Sequence, residues 1–123
     1  MNMADVPLAS LTAVKERNKE AWLALFADDA VVEDPVGPFE WDPEGVGQRG
    51  KAAISDFWDM FSARQQSFDF EIKHLVAIGK EAAVHVRLNM TYAGGSQGSV
   101  DAINLYRVNG EGKVESLRSF WTR

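Results

Sequence analysis

Apolar residues recur at three- and four-residue steps through the first quarter of the chain, at Leu11, Val14, Ala21, Trp22, Leu25 and Phe26, between polar neighbours. That period predicts helix. Asp5, just before Pro7, is a candidate cap for its start. Asn18 stands where the stripe calls for Leu or Val, so a break is expected there, with Asn18 capping a second short helix that ends at Asp28-Asp29. A β-like stretch, Ala30-Val31-Val32-Glu33, then runs into Asp34-Pro35.

Between Pro35 and Gly50 the periodicity stops. Three of the four prolines (Pro35, Pro38, Pro43) and four glycines (Gly37, Gly45, Gly47, Gly50) lie here around Phe39 and Trp41, which predicts a loop. Its two aromatics either act as a lid or pack on a neighbouring surface, the commoner fate. Helical spacing returns with Ala53, Ile54, Phe57, Trp58 and Phe61 on one face.

The period then changes to two. Phe68, Phe70 and Ile72 alternate with Asp69, Glu71 and Lys73, and Gly79-Lys80 makes a turn. Val84, Val86, Leu88 and Met90 alternate with His85, Arg87, Asn89 and Thr91, before a second turn at Gly94-Gly95-Ser96-Gln97-Gly98. Asn109-Gly110 is a hairpin signal between strands at about Val100 to Val108 and Val114 to Trp121. Helices first and an antiparallel meander last is an α+β arrangement. In Asp101-Ala102-Ile103-Asn104-Leu105-Tyr106 both faces carry apolar residues, so the alternation leaves the inner face open. A central strand covered by helices on one side and a partner subunit on the other has this composition.

Composition narrows the choices. With 123 residues, 46% hydrophobic and 25% charged, the chain reads as one domain, residues 1–123, able to bury a core without staples. The absence of cysteine removes disulfides and thiolate metal sites. A net charge of −5 argues against nucleic acid as a partner, because phosphate binding needs a basic stripe. There is no leader-like start and no apolar run long enough to span a membrane, so a cytoplasmic protein is expected. His85 falls on the opposite parity from Val84 and Val86, and His74 is ambiguous. Neither belongs to a metal motif, and no Gly-rich strand-to-helix segment suits a dinucleotide, so no metal and no cofactor are expected.

Ala24-Leu25-Phe26-Ala27-Asp28-Asp29-Ala30-Val31-Val32-Glu33-Asp34-Pro35-Val36-Gly37 resembles the signature segment of bacterial ketosteroid isomerases. Gly50-Lys51-Ala52-Ala53-Ile54 with Phe57-Trp58 resembles that family's next helix, and Tyr106 to Val114 its final hairpin. The likeness keeps order and spacing over nearly the whole chain, apart from a longer loop between Gly37 and Gly50. It implies the cone-shaped nuclear transport factor 2-like (cystatin-like, SnoaL-like) fold, a curved, mostly antiparallel sheet wrapped around N-terminal helices and a deep pocket. In that register Val86, Leu88, Met90, Ala102, Asn104, Tyr106, Leu117, Ser119 and Trp121 face the pocket, with Phe57 and Trp58 opposite; Trp41, as a lid, is a further candidate ligand contact. An apolar cavity with few polar groups suits a small hydrophobic ligand such as a steroid.

The family's chemistry is transfer of a proton next to a ketone, which needs a carboxylate base and hydrogen-bond donors where negative charge develops. Asp34 matches the base, and Pro35 biases it toward an extended conformation. An Asx turn before proline is the structural alternative. The donors depart from the family. Asn104 stands in place of an aspartic acid, and an amide donates a hydrogen bond without a raised pKa. Ser10 stands in place of the helical tyrosine, leaving Tyr106 or the Trp58 indole as substitutes. The resemblance also implies a homodimer through the outer sheet face around His85, Arg87, Asn89 and Thr91. Three classes therefore stand: a ketosteroid isomerase-like enzyme, a polyketide cyclase or epoxide hydrolase in the same cone, and a non-catalytic binding protein.

Overall fold

The computed structural model describes residues 1–122. Helix α1 spans Asp5–Lys15. Asp5 is its first residue rather than its cap: the Asn2 backbone N–H donates to Asp5 Oδ2 at 3.1 Å, and the Asp5 N–H donates to Asn2 Oδ1 at 3.2 Å. The Asp5 N–H is shared with the Asn2 carbonyl at 3.0 Å, so the two residues close a turn just ahead of the helix. The break falls as expected, and Asn18 Oδ1 accepts the Ala21 N–H at 3.0 Å to start helix α2, Lys19–Leu23. Arg17 adopts a left-handed backbone (φ 56°) at the corner and donates its guanidinium to the carbonyls of Gln65 and Ser62 at 3.2 and 3.1 Å. This ties the corner to the end of the third helix and the start of the strand after it.

Helix α2 stops earlier than its sequence suggests. Strand β1 is Phe26–Glu33, and Asp28 and Asp29 are exposed strand residues rather than a helix terminus. The register of β1 shifts between Phe26 and Val31, and such an irregularity lets two polar residues project outward while Phe26, Ala27 and Ala30 stay buried. The expected loop holds one short strand, β2 at Gln48–Arg49, before helix α3 at Lys51–Ala63. There Ile54, Phe57 and Trp58 form the buried stripe.

Strands β3 (Gln65–Ile78), β4 (Glu81–Tyr92), β5 (Gln97–Val108) and β6 (Val114–Trp121) follow, with turns where Gly79, Gly94-Gly95 and Asn109-Gly110 place them. Together they form a six-stranded sheet ordered β2-β1-β6-β5-β4-β3. Every pairing is antiparallel except β1 with β6. The α+β expectation holds, and the sheet packs its inner face on the helices. Val32, Ile54 and Val86 are fully buried there. Inner and outer faces of β5 are now distinct: Ala102, Asn104 and Tyr106 are buried, while Ile103 and Leu105 are exposed. A register shift between Ile72 and His74 turns His74 outward. Among the described residues no helix is long and apolar enough to cross a membrane.

Candidate active site

Asp34 leaves the end of β1 at the point where the chain turns into the loop, and hydrogen bonds fix both sides of that turn. The Val36 N–H donates to the Ser119 carbonyl on β6 at 2.8 Å, and the Trp41 indole N–H donates to the Asp34 carbonyl at 2.8 Å. The loop itself is organised by Asp42, whose buried carboxylate accepts the N–H groups of Val46 at 3.1 Å and Gly47 at 2.9 Å. Beyond the loop, Arg64 at the end of α3 donates to Glu40 at 3.3 Å and lies over the Trp41 ring, 5.3 Å from its centroid. Asp34 is therefore carried by a braced backbone rather than a free loop tip.

Its side chain faces a cavity between the helices and the inner sheet face. Ser10, Leu11 and Val14 of α1, Trp22 of α2, Phe57, Trp58 and Phe61 of α3, and Phe68 of β3 line it. Leu88, Met90, Val100, Asn104, Tyr106, Leu117, Ser119 and Trp121 complete the wall. The empty volume is about 620 Å³, counting its open end, and narrows so that the centre of a water-sized molecule reaches only about 50 Å³. Ligand sites for drug-sized molecules are of order 300–1,000 Å³, so a steroid enters only as side chains of this wall move aside.

Most residues assigned to the pocket from sequence converge on this wall, with three exceptions. Val86 and Ala102 face inward but are covered by their neighbours in the core, at 0% and 1% exposure. Trp41 stands behind the wall, edge-on to Phe39 and Trp121, at 4.5 and 6.0 Å between ring centroids. Phe39 also meets Trp121, at 5.6 Å. The two loop aromatics thus form an outer layer over Trp121. The sequence reading missed Leu11, Val14, Trp22, Phe61, Phe68 and Val100 as wall residues. For the helical ones the signal was their place in the apolar stripes.

The polar groups of the cavity form one connected chain. The Trp121 indole N–H is shared between Asp34 Oδ1 at 3.1 Å and Ser119 Oγ at 2.8 Å. Ser119 in turn donates to Asn104 Oδ1 at 2.5 Å. Tyr106, almost fully buried, meets Asn104 and also Ser10 across from it on α1. Removal from water pushes the Asp34 carboxyl from 3.8 up to about 6, against the opposing effect of the hydrogen bond from Trp121 and of the neighbouring Ser119 hydroxyl. Burial likewise pushes the Tyr106 phenol up to about 12, with hydrogen bonds to Ser10 and Asn104 acting the other way and the Asp34 charge adding to the rise. A carboxylate poised near neutrality beside neutral donors in an apolar cleft can take up and return a proton. Among the described residues no three His, Asp or Glu side chains converge as a metal site requires.

A sequence model of the family described as "SnoaL-like domain" matches residues 8–117. The Steroid Delta-isomerase of Nocardioides simplex is 33% identical over 111 residues, 90% of this chain and 82% of that protein. The crystal structure of Delta 5-3-ketosteroid isomerase from Mycobacterium sp. superposes with a TM-score of 0.88 at 32% identity, covering 98% of this chain and 92% of that one. RV0760c from Mycobacterium tuberculosis, in complex with estradiol-17beta-hemisuccinate, superposes with a TM-score of 0.88 at 30% identity, covering 98% and 93%.

Proposed function

The chain belongs to the SnoaL-like domain family, and from that premise we propose that it is a ketosteroid isomerase-like enzyme with Asp34 as general base. The carboxylate takes a proton from the carbon between a carbonyl and a β,γ double bond of a small hydrophobic ketone such as a steroid. The electron pair of that C–H bond passes into a dienolate, and negative charge gathers on the former carbonyl oxygen. Asp34, now a neutral acid, returns the proton at the far end of the double bond and leaves the conjugated ketone. The Asn104 amide donates to the oxygen while the charge is present.

The observation that carries this reading is the position of Asp34, with a carboxyl pushed up to about 6, on the wall of an apolar cavity that also holds Asn104. A pKa near the working pH lets one group act as base and then as acid. Leu88, Met90, Leu117, Phe57 and Trp58 supply the apolar surface that holds the ligand. The test is conversion of a β,γ-unsaturated ketosteroid to its conjugated isomer by the parent protein and by Asp34→Asn.

A second reading, ligand binding without turnover, draws support from RV0760c, a relative whose structure holds a steroid derivative. It is separated from the first by a ligand that saturates the parent protein while no ketone is isomerised. The protein works as a homodimer through the outer sheet face. There Ile103, Leu105 and Phe120 are exposed at 43%, 36% and 40% beside a cluster of His85, Arg87 and Asp101. A two-fold pairing of this face with itself removes those apolar side chains from water.

A further inference from the structure

We infer that Tyr106 is the second hydrogen-bond donor to the substrate oxygen, delivered from β5 into the place beside Ser10. The inference rests on the general-base reading above and adds a residue to it. Three observations lead to it: the direction of the hydrogen-bond chain, the position of the Tyr106 hydroxyl, and its electrostatic link to Asp34.

Direction comes from Trp121, because an indole N–H only donates. Ser119 Oγ accepts from it at 2.8 Å, so the Ser119 proton is directed to Asn104 Oδ1, at 2.5 Å. With its oxygen engaged, Asn104 has its NH2 group left to donate, the group that the proposed reaction uses on the substrate oxygen. The Tyr106 phenol lies beside Asn104 and Ser10 and lines the cavity with them. The phenol, lining the cavity, offers its proton to an acceptor bound there.

Position agrees with direction. Tyr106 is 1% exposed and its side chain lines the same cavity wall as Asp34. Its hydroxyl reaches α1 at Ser10, itself buried. The Asp34 charge is felt at the phenol, so base and donor act within one electrostatic site. A neutral phenol held by two neighbours needs little reorganisation when charge appears on a bound oxygen. During the reaction Tyr106 keeps its proton and only shares it; the proton that moves is the one carried by Asp34.

The test compares kcat and KM for a β,γ-unsaturated ketosteroid, together with the affinity of a phenolic steroid read by tryptophan fluorescence, in the parent protein, Tyr106→Phe and Asp34→Asn. Tyr106→Phe is expected to lower kcat by about a hundredfold to a thousandfold with little change in KM. It is also expected to weaken the phenolic steroid by roughly tenfold. A Tyr106→Phe protein with parental kcat and parental phenol affinity overturns the inference. If the parent isomerises nothing, the general-base reading alone fails, and phenol affinity decides the matter: a loss specific to Tyr106→Phe sustains the donor, while equal affinity or no binding overturns it. Should Tyr106→Phe not fold, fluorotyrosine incorporated into the parent reports instead, since the chain has two tyrosines and only Tyr106 lines the cavity. Ligand should then move the Tyr106 fluorine resonance, and a resonance that stays put under saturating ligand overturns the inference.

Discussion

Trp121 donates its indole N–H to Asp34 Oδ1 at 3.1 Å, joining the last residue of β6 to the carboxylate just past the end of β1. The two residues are 87 positions apart in sequence and meet because β1 and β6 run parallel and side by side. The bond has a chemical consequence. Burial raises the Asp34 pKa, and Trp121 keeps that rise in check, so a base usable near neutrality results from two opposed effects.

The pH dependence of kcat/KM follows from this balance. Asp34 acts as a base only when ionised, so activity should rise with pH through a midpoint near 6 and level off above it. Initial rates across a pH series measure this. A profile that is flat across that range contradicts the assignment of the base.

Replacing Trp121 by Phe keeps an aromatic ring against Phe39 and Trp41 but removes the donor. Without that hydrogen bond the carboxylate loses stabilisation, and the midpoint should move upward by roughly half a unit to one unit. The same pH series on Trp121→Phe reads the shift. A downward shift is incompatible with a carboxylate that accepts from the indole.

Asp34 also carries a cost to stability. Unfolded, its carboxyl ionises near 3.8, and in the folded chain only near 6. Below the lower value it is neutral in both states and costs nothing. Between the two, ionisation favours the unfolded chain, so this contribution to stability falls as pH rises and is lost above about 6. Asp34→Asn should therefore be more stable than the parent at about pH 8, by roughly 2 to 3 kcal/mol, with the difference closing below about pH 4. Denaturant titrations at the two pH values check this; an equal gap at both removes the linkage.

Much of this was legible in the chain and some was not. Period-two alternation from Phe68 onward and the turn residues Gly79-Lys80 and Asn109-Gly110 located the four long strands, because local chemistry sets them. Asn18 capped α2 as its side chain demands. The start of β1 was hidden: Asp28-Asp29 look like a helix end, and they fall within a strand only because Phe26 and Val31 on either side pair with β6. Such pairing is non-local and leaves no mark on sequence period. Alternation also left open which face of β5 is inner, and burial in the folded chain decides it in favour of Ala102, Asn104 and Tyr106. The Trp121 bond to Asp34 and the Asp42 brace belong to the same class, being contacts between elements rather than properties of either one. Val86 illustrates the converse, since parity placed it on the inner face but only packing shows that neighbours cover it.

A homodimer through the outer face makes its own prediction. Ile103 pairs with Phe120 across β5 and β6, and both are exposed. Phe120→Asp places a charge in the middle of that face, where a partner would desolvate it. Sedimentation should show the parent as a dimer and Phe120→Asp shifted toward monomer. A parent that is monomeric at every concentration tested removes this face as an interface.

The most direct test of the central claim is the rate at which the purified protein converts a β,γ-unsaturated ketosteroid to its conjugated isomer, measured side by side with Asp34→Asn and Asn104→Ala. The account predicts turnover by the parent, its abolition in Asp34→Asn, and a loss of about a hundredfold to a thousandfold in Asn104→Ala, as for one donor to a developing oxyanion. A parent protein no faster than buffer, or an Asp34→Asn variant as active as the parent, contradicts it.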